Sequence, residues 1–454
     1  MLKKMKKFHF IGIGGVGMSA IAEILLEKGY KITGSDLNNS DIIVNLKQKG
    51  AQIYHNHCAD NIKDCDAVVI SSAIAKDNPE LLAARQKNIT VYHRSDVLAA
   101  LLNSAKGIAV AGSHGKTTTS SMLSVILDNA GIDPTVLIGG VVDYFHGNAR
   151  LGKSDYVIAE ADESDGSFLK FDPYIAVVTN IEDDHMDHYG NMENIINAFK
   201  QFIGNISEKG TAVLCLDHKN VRKIISDTTK PYISYAIDTP ADYRAANIKM
   251  SKTTTSFDVT YKENLIGHIE LNIPGRHNIL NALAAIAVCR FLDIPVEKIA
   301  DGFKLFHGAK RRFQTKKRTA SYWIVDDYAH HPTEIKTTLE AARQTQPKRL
   351  ICIFQPHRYS RTKLLAAEFG HCFSPADILI FTDIYSAGES PIPGISGKTI
   401  VTEVEKTGKK AVYIPDMDKI APYVQNIMQS GDLIITMGAG NIFKCGETLA
   451  RNLQ

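Results

Sequence analysis

Two glycine-rich loops are the residues most able to do chemistry in this chain. The first, FIGIGGVGMS, fits G-x-G-x-x-G at Gly12, Gly14 and Gly17, with Asp36 nineteen residues beyond Gly17. Such a loop turns backbone amides and a helix N-terminus toward a pyrophosphate, and its spacing is that of a dinucleotide-binding βαβ unit. Taken alone, it invites a nicotinamide-dependent oxidoreductase. The second loop is Gly112, Ser113, His114, Gly115, Lys116, Thr117 and Thr118. Its G-K-T tail is that of a phosphate loop: the amides would cradle ATP phosphates, Lys116 would reach the terminal ones, and a threonine hydroxyl would bind Mg²⁺. The form is shortened, because position 110 is Val and the first glycine is Gly112. With a separate ATP loop a hundred residues on, the first loop is better read as holding another diphosphate.

Further groups recur where apolar runs end. A metal-bound triphosphate needs hard oxygen ligands, and Glu160 in AEADESD and Asp183, Asp184 and His185 in TNIEDDHMDHY offer them. Asn278 and Asn281 in GRHNILNALAA stand at i,i+3 on one helix face, where amides can match an adenine edge. Arg311 and Arg312 in GAKRRFQ are candidate phosphate clamps. Later, DDYAHHPTE carries Asp326, Asp327, Tyr328, His330 and His331, and FQPHRYSRT carries His357, Arg358 and Arg361. Two arginines among several histidines suit a carboxylate, which a guanidinium grips in bidentate fashion.

The elements that must position these groups follow from periodicity. Short β-branched runs alternate with amphipathic stretches in three successive segments, which predicts α/β architecture with parallel sheets. FHFIGIG, KITGSD and AVVISSA belong to the first; GIAVAGS, DYVIAEA and IAVVTNI to the second; SYWIVDD, RLICIF, DILIF and DLIITM to the third. TSFDVTY and GHIELNI read as alternating strands inserted over 231–273. Expected breaks lie near Leu102–Ser104 and in the basic stretch Gln314–Arg318, giving domains at 1–103, 104–318 and 319–454.

Composition narrows the function classes. The chain has 454 residues, 44% apolar and 22% charged, as in an ordinary globular protein. A net charge of +3 gives no case for nucleic acid, and no apolar run approaches a membrane span. Seven scattered cysteines without C-x-x-C spacing are read as reduced thiols in a cytoplasmic protein.

Taken in order, GIGGVGM, GSHGKTTT, EADESDGSF, TNIEDDHMDHY, GRHNILNALAA, GAKRRFQ, DDYAHHPTE, FQPHRYSRT and IYSAGE resemble the Mur ligases, ATP-dependent amide-forming enzymes of peptidoglycan synthesis. The resemblance covers essentially the whole chain. ESDGSF with GIGGVGM favours the alanine-adding branch over the branch that recycles a tripeptide. A folate-polyglutamate ligase would share the later domains but lacks a leading Rossmann-like one. The resemblance implies a Rossmann-like domain for UDP, a central P-loop ATPase domain with a small β insertion, and a C-terminal Rossmann-like domain for the amino acid. It places Gly12, Gly14, Gly15, Val16, Gly17, Met18 and Ser19 at the diphosphate of UDP-N-acetylmuramate, with Asp36, Ser71 and Ser72 near the uridine. It places Gly112 to Thr118 on ATP, Thr117, Glu160 and His185 near Mg²⁺, and Asn278, Arg312 and Asp327 on the nucleotide. His330, Arg358 and Arg361, with Lys116, would serve the chemistry and the incoming L-alanine, His330 or His331 being able to take the amine's proton. A monomer or homodimer is expected.

Overall fold

The computed structural model describes residues 2–453. Among them three sheets follow one another along the chain. The first contains β1 (Lys7–Ile11), β2 (Lys31–Ser35), β3 (Gln52–Tyr54), β4 (Ala67–Ile70) and β5 (Thr90–His93). All five are parallel, in the order β3-β2-β1-β4-β5. The order reverses between β1 and β4, and the crevice outside the carboxyl ends at such a switch is where open α/β sheets bind ligands.

The second sheet holds β6 (Lys106–Ala111), β7 (Thr135–Val142), β8 (Gly147–Arg150), β9 (Tyr156–Glu160), β10 (Ile175–Val178), β11 (Thr211–Cys215), β12 (Tyr232–Ala236), β13 (Tyr243–Met250), β14 (Thr255–Tyr261) and β15 (Asn264–Leu271). Its order is β15-β14-β13-β12-β11-β10-β6-β9-β7-β8. The alternating strands expected over 231–273 are present and extend this same sheet. In β14 the side chains of Thr255, Phe257 and Val259 are buried, the period-two pattern of a strand with one face on a core.

The third sheet runs β16-β17-β21-β18-β19-β20, from β16 (Gln314–Arg318), β17 (Tyr322–Asp327), β18 (Arg349–Phe354), β19 (Ile378–Phe381), β20 (Ala411–Tyr413) and β21 (Asp432–Met437). Its central strands are nearly continuous apolar runs because helices cover both faces. Val325, Cys352, Phe354 and Ile435 face one cluster, and Ile324, Ile351, Ile353 and Ile434 face the other. The basic stretch Gln314–Arg318 is not a break. It is β16, antiparallel to β17, an edge strand whose lysines and arginine hid its extended character.

Two compact units result. One comprises Met1–Ala246, Asp258–Ile269 and Leu280–Phe306; the other comprises Asn247–Phe257, Glu270–Ile279 and His307–Gln454.

Candidate functional site

In the first unit the glycine loop leaves β1 and enters the helix Val16–Glu27, with Gly15 as its N-cap. The amides of Gly12 and Ile13 both donate to the Ser35 carbonyl, at 2.8 and 3.0 Å, which ties the loop to β2. The first helical bond, Ser19 N to Gly15 O at 2.8 Å, leaves the amides of Val16, Gly17 and Met18, among the described residues, as the helix's unpaired first-turn donors. Ser19 spends its amide in the helix, its hydroxyl donates to Val16 O at 3.0 Å, and its side chain is buried. Met18 buries its side chain and can offer only its amide. Asp36, expected beside the uridine, braces the loop, accepting from Gly14 N at 2.8 Å and Asn38 N at 2.9 Å.

Ser71 and Ser72 follow β4. The Ser71 carbonyl accepts from Ile74 N, and the Ser72 hydroxyl lies 3.2 Å from His93 Nε2 and 3.4 Å from Asp165 of the EADESD turn. Arg94, absent from the sequence reading, lies beside the loop. Its guanidinium donates to Asp162 at 2.7 Å, and its Nη1 is 3.3 Å from where a Cβ on Gly17 would stand.

The second loop leaves β6 between two parallel neighbours, β9 and β10, so the segments after Ala111, Glu160 and Val178 emerge side by side. Gly112 has φ 132°, and a Cβ there would lie 2.1 Å from Thr179 Oγ1; Gly115 has φ 86° and caps the helix Lys116–Asn129. Both conformations are ones that glycine alone adopts freely. The turn after β10 pins the loop. Asn180 Oδ1 accepts from His114 N at 2.8 Å, Thr179 Oγ1 and Asn180 Nδ2 donate to His114 O, and Glu182 N donates to Ser113 Oγ at 2.8 Å.

Lys116 reaches back over the loop. Its ammonium donates to Gly112 O at 2.6 Å and to both Glu163 oxygens at 2.8 Å. Burial works to lower its pKa, but Glu163, Asp162 and Glu160 outweigh this and raise it, so the lysine stays cationic. Glu163 is not legible in the sequence. Its residue type gave no signal beyond three neighbouring acids, and only the fold shows that it, buried, is the one that hydrogen-bonds the lysine.

The metal candidates divide. Thr117 Oγ1 donates to Glu160 Oε2 at 3.2 Å, while Glu160 Oε1 accepts from Gly139 N at 2.6 Å. A hydroxyl and a carboxylate held together at the loop are hard oxygen donors that fit Mg²⁺. His185 takes φ 60° at the start of a short helix, with Nε2 3.9 Å from Glu163 Oε1 and 3.5 Å from Asp184 Oδ2. Asn281, weighed as a nucleoside contact, supports the loop from below: it accepts from Thr119 Oγ1 at 3.3 Å, and its Oδ1 is 2.5 Å from where a Cβ on Gly115 would stand.

In the second unit, β17, β21 and β18 lie adjacent, with Asp327 and Phe354 both level with Met437. The groups that follow them therefore gather at one edge. Arg311, at φ 61°, donates to Asp326 and to Gly438 O, and its guanidinium lies 4.8 Å from the Tyr328 ring centroid. Arg312 lies 5.5 Å from that ring and 3.6 Å from Glu334. Burial pushes the Asp327 carboxyl up to about 6 against the pull of Arg312, and it accepts from Phe313 N and Ala329 N. Asn278 is buried and donates to Pro274 O at 2.7 Å.

His330 packs edge-on to both Tyr328 and His357, with Nδ1 3.3 Å from Glu334 Oε2. His331 is a helix cap: its ring accepts from Thr333 N while Glu334 accepts from His331 N. His357 stacks on Tyr385, and its Nδ1 accepts from Arg361 at 3.2 Å. Burial, then His330, Arg361, Arg358 and Arg311, bring its pKa down to about 3, so it is neutral at physiological pH. Arg358 takes φ 67°, and among the described residues its buried Nε has no hydrogen-bond partner. Positive φ at a non-glycine residue costs on the order of 1 kcal/mol or more, and His185, Arg311 and Arg358 all bear it, as residues at functional sites often do.

The chain is similar to known proteins along its whole length. Residues 7–106 match the Mur ligase family catalytic domain, 110–289 the Mur ligase middle domain, and 311–440 the Mur ligase glutamate ligase domain. Among curated proteins, the UDP-N-acetylmuramate–L-alanine ligase of Pelotomaculum thermopropionicum is 49% identical over 455 aligned positions, covering 100% of this chain and 99% of that protein. That of Geotalea uraniireducens matches at the same identity and coverage. Among solved structures, the UDP-N-acetylmuramate-alanine ligase of Thermotoga maritima superimposes with a TM-score of 0.84 at 28% identity, covering 98% of each chain. A murein peptide ligase from Psychrobacter arcticus gives 0.74 at 25% identity, covering 99% of each. With half its residues shared, end to end, with curated relatives of one kind, the chain belongs to the Mur ligase family.

Proposed function

We propose that this protein joins L-alanine to the lactyl carboxylate of UDP-N-acetylmuramate, consuming ATP and releasing ADP and phosphate. The observation that carries this reading is the pair of phosphate-type loops in one unit, the second with a charged lysine seated over it, in a chain 49% identical over its full length to a ligase of that name. A carboxylate resists an amine because its leaving group would be oxide. Phosphorylation by ATP makes an acyl phosphate, and the amine then displaces phosphate through a tetrahedral intermediate.

Bringing two anions together demands concentrated positive charge. Lys116 and the loop amides supply it by position rather than by bond-making. Mg²⁺, held by Thr117 and Glu160 with His185 as a further candidate, would neutralise phosphate charge. Arg358 and Arg361 would grip the alanine carboxylate, with His330 as proton acceptor. Among the described residues no helix is long and apolar enough to cross a membrane, and a cytoplasmic enzyme is in keeping with cysteines that are all free.

The test is phosphate release with UDP-N-acetylmuramate, ATP and a panel of L-alanine, glycine, L-serine and a murein tripeptide. Release dependent on the sugar nucleotide and strongest with L-alanine is expected. Turnover only with the tripeptide would move the protein to the recycling branch. Lys116→Ala should lower turnover at least about a hundredfold, and near-normal turnover would refute the phosphate-loop assignment.

A further inference from the structure

Arg94 is placed with more care than an ordinary surface arginine. It is the first residue of the helix Arg94–Asn103, and a reciprocal cap fixes that helix start: His93 accepts from Ser95 N, and Asp96 accepts from His93 N at 2.8 Å. The side chain, 23% exposed, spans from the first sheet's helix to the EADESD turn after β9, where Asp162 Oδ2 takes one Nη2 donor at 2.7 Å. Among the described residues this is its only hydrogen bond. A guanidinium has five donors, so several remain. Nη1 faces Gly17, whose missing side chain makes room for it: an added Cβ would stand 3.3 Å away. Gly17 lies between the unpaired amides of Val16 and Met18.

If this contact were merely a tie between the first sheet and the second, Asp162 would be its whole purpose. That work is already done nearby by Lys170, which donates to Ser95 Oγ at 2.9 Å and Asp96 Oδ1 at 2.6 Å. Arg94 instead sets a delocalised, bidentate cation beside amides that converge on an anion, the combination suited to phosphate.

We propose that Arg94 is the cationic clamp for the diphosphate of the nucleotide sugar at the first loop, held in place by Asp162. This rests on the functional reading above and adds a residue to it. Asp162 is also close enough to Lys116 to be pulled toward the anionic form by it. The same carboxylate therefore orients the clamp of one phosphate loop and faces the lysine of the other.

Titration of the full-length protein with UDP, and separately with a non-hydrolysable ATP analogue, tests the clamp in wild type, Arg94→Gln, Arg94→Lys and Gly17→Ala. Loss of one charge-assisted contact predicts roughly 10- to 100-fold weaker UDP binding for R94Q, with ATP-analogue affinity within about threefold of wild type. R94K should recover part of the loss, and G17A, which pushes a methyl into the guanidinium, should also weaken UDP. The steady-state KM for UDP-N-acetylmuramate should rise with R94Q while the KM for ATP holds. Equal loss of both nucleotides in R94Q, or UDP binding like wild type in R94Q, overturns the clamp and leaves the ligase reading intact. Failure of wild type to bind UDP at all overturns both.

Discussion

Replacing Glu163 by Gln would break the ion pair that holds Lys116 while keeping a side chain of the same size. The attraction at 2.8 Å amounts to about 6 kcal/mol at an effective dielectric near 20, before desolvation is subtracted. Removing one partner of a buried pair ordinarily costs about 3–5 kcal/mol. Here the cost is smaller, because Lys116 is 19% exposed, keeps the Gly112 carbonyl, and still faces Asp162. A loss of roughly 1–3 kcal/mol follows, several degrees in Tm. With nucleotide bound, phosphate oxygens take the place of the carboxylate, and most of that loss should vanish. The two states then close a cycle: if the free protein loses about 2 kcal/mol and the bound one about 0.5, nucleotide affinity must tighten about tenfold. Thermal melts of wild type and E163Q with and without a non-hydrolysable ATP analogue, together with a direct titration, read both sides. An equal drop in Tm in both states with unchanged affinity would refute the idea that Lys116 exchanges Glu163 for phosphate.

Gly115→Ala should weaken ATP binding at least about tenfold and cost about 1–2 kcal/mol, because φ 86° and a contact of 2.5 Å with Asn281 leave no room for a methyl; titration and melting check this. Arg361→Ala should raise the KM for alanine well above any change in the KM for ATP, since Arg361 lies in the second unit's cationic cluster and holds the neutral His357. In the first unit, burial opposes ionisation of Glu80, but the His9 ring 3.6 Å away and hydrogen bonds from Ser35 and Asn61 prevail and bring its pKa down from 4.5 to about 2. A depressed carboxyl stabilises the folded state above its unfolded pKa and loses that contribution as pH falls toward 2, here up to about 3 kcal/mol. Melts between pH 6 and 2.5 should show this decline in wild type, and a flatter profile in Glu80→Gln.

The sequence revealed most where chemistry depends on neighbours along the chain. The order of glycine, lysine and threonine in GSHGKTT is itself the loop, so Lys116 and Thr117 could be found by reading. Glu163 and Arg94 could not. One was hidden in a run of four acids, and the other is an unremarkable arginine until the switch between β1 and β4 brings its helix beside Gly17. That Asp36 also braces the loop could not be read either, since its spacing points to a ribose and only the fold brings its carboxylate to Gly14 N. Gln314–Arg318 misled because edge strands carry charge, and charge reads as linker.

The bonds from Thr179, Asn180 and Glu182 to the ATP loop have a kinetic consequence. A free glycine loop would have to surrender its conformational entropy when nucleotide arrives, at roughly 1–2 kcal/mol per residue. Here Thr179, Asn180 and Glu182, after β10, hold both the backbone and the side chains of Ser113 and His114 by hydrogen bonds. The loop is thus ordered by folding itself. Nucleotide should associate at a rate set by diffusion and charge, with little heat-capacity change from loop ordering, and loosening Asn180 would slow capture rather than alter the chemistry.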